Sequence, residues 1–124
     1  MTAYQGGCHC GAVRFEVRLQ GPIKGLLDCN CSICTKRGIL HHPADDEQFT
    51  LMRGSDALQL YQFGSGTAHH WFCRHCGIHT HGRPRNAPHR YTINVRCLDD
   101  FHAIHPNASI RHFDGIHHPK DAAN

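Results

Sequence analysis

In the stretch AVRFEVRL, residues 12–19, apolar Val13, Phe15, Val17 and Leu19 alternate with charged Arg14, Glu16 and Arg18. A period of two predicts a half-buried β-strand, and Gly21 and Pro22 then close it. QFTLMRG and ALQLYQF predict two further strands, separated by a turn around Gly54, Ser55 and Asp56. YTINVRCL alternates again and predicts a strand carrying Tyr91, Ile93, Val95 and Cys97 on one face. AHHWFC runs into a tight knuckle at CRHCG. Only PADDEQF suggests a short helical turn, and no segment shows long helical periodicity. Pro84, Pro88, Pro106 and Pro119 punctuate loops, and the chain beyond Pro106 reads as irregular. The pattern predicts one mainly β domain over residues 1–124, with its core at about 6–100 and an irregular extension at 101–124.

A chain of 124 residues and 14.0 kDa is long enough to bury a core of its own. No segment approaches the ~20 consecutive apolar residues of a membrane span, so no membrane partner is expected. The opening MTAYQGGCHC has no signal-peptide apolar stretch, and the expectation is a cytoplasmic chain with reduced thiols. The eight cysteines are then read as ligands or reactive groups rather than disulfides, a reading that their tight spacing also favours. The formal charge of +3 is mildly basic. Seven ligating thiolates and two Zn²⁺ ions would change it by −7 + 4 = −3, to about zero. No nucleic-acid partner is expected on charge.

Seven cysteines fall into three groups: Cys8 and Cys10 in CHCG, Cys29, Cys31 and Cys34 in CNCSIC, and Cys73 and Cys76 in CRHCG. A CxxC turn followed by glycine is a zinc-knuckle signal, because the turn points both sulfurs inward and Gly77 can take the positive φ that closes it. CxC also suits ligation, since residues i and i+2 share a face of extended chain. The two pairs sum to four, the number of a closed structural zinc site. The trio supplies three, the number of a site that keeps one position open. The rival partition adds Cys97 to the trio and closes both sites, whereas the place of Cys97 beside Ile93 and Val95 favours a buried core cysteine. Both partitions fit the count.

GGCHCGAVRFEV, CNCSIC, FCRHCG and INVRCLDD, in this order, resemble the glutathione-dependent formaldehyde-activating (GFA, or CENP-V/GFA) domain family over residues 6–100. The resemblance implies a β-tent fold, related to Mss4-like zinc folds. It implies a structural zinc on Cys8, Cys10, Cys73 and Cys76, and a second, labile zinc on Cys29, Cys31 and Cys34, where the thiol of glutathione engages. The implied activity joins glutathione to formaldehyde as S-hydroxymethylglutathione, a carbon–sulfur lyase working in the synthetic direction. A non-catalytic zinc module that binds a protein partner or glutathione is the alternative.

An open three-cysteine zinc suits this chemistry, because a thiol in the fourth position loses its proton to the metal's charge. Glutathione's two carboxylates call for guanidinium partners. Lys36 and Arg37 follow the trio, and Arg83 and Arg85 follow the knuckle, although solvated surface charge explains each equally well. Fourteen histidines leave the proton donor unassigned. Adjacent pairs occur at 41–42, 69–70 and 117–118; His79 and His81, sharing a strand face, are the pair expected nearest a metal. His9 and His75 are expected to point outward from their loops, and Trp71 and Phe72 to pack.

Overall fold

The computed structural model describes residues 1–117. Ten strands and two short helices follow in the order β1 Thr2–Gly7, β2 Arg14–Leu19, β3 Gly25–Cys29, α1 Ser32–Arg37, β4 Leu40–Ala44, β5 Phe49–Arg53, β6 Leu58–Tyr61, β7 His69–Cys73, β8 His79–Arg83, β9 Tyr91–Asn94, α2 Phe101–Ile104 and β10 Ser109–Phe113. Single turns of 3-10 helix lie at Val95–Cys97 and His105–Asn107. The chain is mainly β, as the alternating pattern predicts.

The strands form two sheets: β1-β2-β5, and β10-β3-β4-β9-β8-β7-β6. On β2 the predicted alternation holds, with Phe15, Val17 and Leu19 buried while Arg18 faces solvent. Phe15 stacks on Phe49 at 5.5 Å between ring centroids. Full burial of such a side chain is worth about 1.5–3 kcal/mol. The main core joins these residues to Tyr4, Leu26, Leu40, Ile93, Val95, Leu98 and Ile104, and a smaller one gathers Val13 and Ala57 around Cys8 and Cys73. No helix among the described residues is long and apolar enough to cross a membrane.

Two sequence expectations need correction. The strand expected through Cys97 stops at Asn94, whose side-chain oxygen accepts from the Arg96 amide and turns the backbone into 3-10 helix. Cys97 therefore does not share a strand face with Ile93. Residues 101–113, expected to be irregular, form α2, a 3-10 turn and β10, which pairs in parallel with β3 from Ser109↔Gly25 to Phe113↔Cys29. β10 is an exposed edge strand with little burial, so it leaves no apolar alternation to read. Pro119 and His118 lie outside the described residues.

Candidate metal centre

The four sulfurs of Cys8, Cys10, Cys73 and Cys76 lie within 4.8 Å of one another. The loop between β1 and β2 carries the first pair, and the end of β7 with its knuckle carries the second. Each loop is closed by its own backbone, with Cys8 N–H on Val13 O at 3.1 Å and Gly77 N–H on Cys73 O at 2.8 Å. Gly77 has φ +80°, the left-handed conformation the sequence calls for at the knuckle. Amides of Val13 and His75 point at Cys8 Sγ and Cys73 Sγ from 3.3 and 3.4 Å. Sulfur–sulfur separations are 3.6 Å for Cys8–Cys10 and 3.7 Å for Cys10–Cys73. Ligands 2.3 Å from a tetrahedral zinc stand about 3.8 Å apart, so this donor set fits the ion closely.

Cys29, Cys31 and Cys34 form the second group, also within 4.8 Å of one another. Cys29 ends β3, Cys31 is the residue before α1, and Cys34 is buried within that helix. The three share ionisation unequally. Hydrogen bonds from Cys29 and Cys34 lower the pKa of Cys31; the bond with Cys31 raises that of Cys29, and bonds with Cys29 and Cys31, with burial, raise that of Cys34. Thiols this close oppose one another's ionisation, and a cation held among them would relieve that opposition. Both groups can hold metal ions, and the all-sulfur donor sets are consistent with zinc.

The C-terminal residues wall one side of the trio. Asn30, between two of the cysteines, donates its amide N–H to Phe113 O at 3.1 Å and its side-chain nitrogen to Asp114 at 3.3 Å, while its side-chain oxygen accepts from Ile116 N–H at 3.0 Å. This brings Gly115 so close that a Cβ there would sit 2.6 Å from Cys29 Sγ and 2.8 Å from Cys31 Cβ. The approach requires glycine.

His41 of β4 has Nε2 3.2 Å from Cys34 Sγ and Nδ1 3.1 Å from Thr92 Oγ1 on β9. Burial lowers the His41 pKa to about 4, so the ring is neutral near pH 7. Arg37, in the last turn of α1, donates from Nη1 to His79 Nδ1 at 3.0 Å. Because guanidinium only donates, neutral His79 must keep its proton on Nε2, an atom that is buried without a partner.

His79 and His81 are buried as a pair on β8, yet neither joins a cysteine group. His81 instead stacks on Trp71 at 5.3 Å and packs against Phe49 at 4.6 Å. Phe72 lies under the Arg37 guanidinium at 5.2 Å, so both aromatic residues pack as expected. His9 and His75 are exposed. Arg83 is engaged away from the trio, pairing with Asp46 at 3.1 Å and covering the Tyr91 ring at 4.0 Å. Cys97 is in neither sulfur group; its thiol donates to His79 O at 3.3 Å, and burial pushes its pKa up to about 12. Sequence reading named His41 only as half of an adjacent pair and did not single out Thr92, Asn30 or Gly115, because β4 and β10, which carry or border their partners, have weak strand patterns.

The model of the family described as glutathione-dependent formaldehyde-activating enzyme matches residues 3–114. The crystal structure of a Rhodobacter sphaeroides protein is similar at 40% identity and a TM-score of 0.77, covering 86% of this chain and 99% of that one.

Proposed function

This chain belongs to the glutathione-dependent formaldehyde-activating enzyme family, and from that premise we propose that it condenses glutathione, or a related thiol, with formaldehyde, yielding S-hydroxymethylglutathione as a carbon–sulfur lyase does in the synthetic direction. The observation that carries this reading is the three-sulfur group of Cys29, Cys31 and Cys34 beside a complete four-sulfur group. Three protein ligands leave a tetrahedral position for a substrate atom, whereas four do not.

Cys8, Cys10, Cys73 and Cys76 would hold a structural zinc, and Cys29, Cys31 and Cys34 a labile one. When bound at the trio, zinc supplies the positive charge that favours thiolate over thiol near neutral pH. In the reaction a carbon–sulfur bond forms from the thiolate to the formaldehyde carbon, the carbonyl π pair moves to oxygen, and that oxygen takes a proton. His41 orients the trio: with Cys34 ionised, its Nε2–H donates to Cys34 Sγ and its Nδ1 accepts the Thr92 hydroxyl. The wall made by Asn30 and Gly115 restricts approach to the opposite side.

Two measurements test the reading. Mild chelation should remove one zinc with the chain still folded, whereas Cys73→Ser should compromise folding, since closed thiolate sites contribute about 10–16 kcal/mol of apparent binding energy. Loss of both ions in one cooperative step would contradict a structural and a labile site. Formation of S-hydroxymethylglutathione, followed by NMR exchange against buffer and free zinc, should be faster with the native chain than with Cys31→Ser. Equal rates in all samples would exclude the synthase and leave a thiol-binding or partner-binding zinc module.

A further inference from the structure

Arg14, Arg18, Arg83 and Arg90 each meet a carboxylate, at 2.6, 2.8, 3.1 and 3.0 Å, and Arg53 donates to a backbone oxygen, Gly11 O, at 3.0 Å. Arg37 meets no carboxylate among the described residues. Its guanidinium is half-buried between the Phe72 ring at 5.2 Å and the Tyr61 ring at 5.9 Å, and its hydrogen bond goes to a neutral imidazole. Burial draws its pKa down, against the opposing pull of Tyr61 and Cys34. A partly desolvated cation without a counter-ion is unfavourable for the fold, and such groups concentrate where a ligand completes them.

The surroundings narrow the ligand. Lys36 borders a cleft with Ser32, Ile33, Tyr61 and Phe63, on the same helix that carries Cys34. Tyr61 and Phe63 are exposed and stack on each other at 5.7 Å, and Phe63 stacks on His70 at 5.6 Å. Behind them His70 Nε2 and His79 Nε2 are buried without partners. One short helix thus presents a thiol-side group at Cys34, an apolar cleft beside it and two adjacent cations at its end.

We propose that Lys36, at the edge of the Tyr61–Phe63 cleft, and Arg37, against the Tyr61 ring, form a carboxylate-recognition site that selects acidic thiols over neutral ones. Arg37 supplies the fork that a carboxylate accepts from two donors, with the Phe72 and Tyr61 rings against it. Lys36 adds a mobile charge at the solvent edge. The occupant is a thiol whose carboxylate is separated from its sulfur by an apolar or peptide stem. This inference rests on the proposed thiol site but adds what chooses among thiols.

The chain loaded with Co²⁺ reports sulfur binding through its charge-transfer absorbance, independently of turnover. Titration with 2-mercaptoethanol, 3-mercaptopropionate and glutathione should show the two acidic thiols binding about tenfold or more tightly than the neutral one. Arg37→Met should abolish most of that preference and leave 2-mercaptoethanol unchanged; Arg37→Lys should retain part of it, and exposed Lys36→Met should reduce it. S-methylglutathione, which keeps the carboxylates but has no free thiol, should compete with glutathione in the native chain and not in Arg37→Met. Equal affinity for all three thiols in the native chain would overturn the proposal. So would an Arg37→Met chain that weakens all three alike or loses cobalt, which would make Arg37 a counter-charge to the sulfur cluster. If no thiol alters the native spectrum, the thiol reading itself falls and the proposal with it.

Discussion

His41 Nε2 stands 3.2 Å from Cys34 Sγ, while the other nitrogen of the same ring meets the Thr92 hydroxyl at 3.1 Å. A three-member chain from β9 through β4 to α1 thus fixes the deepest sulfur of the trio. Partners of this kind tune metal affinity by about ten- to a hundredfold. His41→Ala should therefore weaken metal binding at the trio by that factor in chelator competition, with the four-cysteine group unaffected. Thr92→Val should act in the same direction and less strongly. Unchanged affinity in both variants would show that the contact does not support the site.

Cys97 offers a separate check on the partition of sulfurs. Its thiol donates to a backbone oxygen, and it packs partly buried against the main core. Cys97→Ala should keep both metals and cost about 1 kcal/mol, the usual worth of one such hydrogen bond. Its pKa of about 12 also predicts that alkylation of the metal-free chain spares this cysteine longer than Cys31, whose pKa its neighbouring thiols lower. A variant that binds one metal fewer would make Cys97 a ligand and close the trio.

Acid should weaken the fold through its buried imidazoles. Burial, the largest cause in each case, lowers the pKa of His41, His79 and His81 from 6.5 to about 4, about 2 and about 3. Below pH 6.5 the unfolded chain takes up protons at these positions and the folded chain does not. Their contribution is complete above that pH and is lost as pH falls, at up to about 1.4 kcal/mol per unit for each histidine until its folded pKa is reached. Thermal unfolding followed from about pH 7.5 to about pH 5 should show a falling Tm. His81→Phe, outside both cysteine groups, should flatten that slope by one histidine's share. A Tm constant across the range would contradict buried neutral imidazoles.

The parts of this molecule that were legible in its sequence are those written in short-range pattern. β2 declares itself because Phe15, Val17 and Leu19 alternate with charges, and the knuckle because Cys73, Cys76 and Gly77 follow a turn rule. The convergence of Cys8 and Cys10 with Cys73 and Cys76 was reachable by counting ligands. What surrounds the trio was not. His41 reads as half of a surface pair until β4 places it between Cys34 and Thr92, and Arg37 looks solvated until Phe72 and Tyr61 arrive from another part of the sheet. β9 shows the opposite failure. The alternation of YTINVRCL continues on paper through Cys97, but the Asn94 side chain caps a turn that ends the strand first.

The wall beside the trio also sets an order of assembly in time. Asn30 and Asp114 are 84 positions apart, and Cys10 and Cys73 are 63 apart. On a ribosome, the trio emerges early, the four-cysteine group can close next, and β10 with Gly115 arrives last. Contacts across such long loops form slowly. Until then the three sulfurs of the trio lack their wall, and β3 presents an unpaired parallel edge to any neighbouring chain. A nascent chain therefore passes through an interval in which thiol oxidation and edge-to-edge mispairing compete with completion of the site, and the residues that end that interval are made only after both cysteine groups.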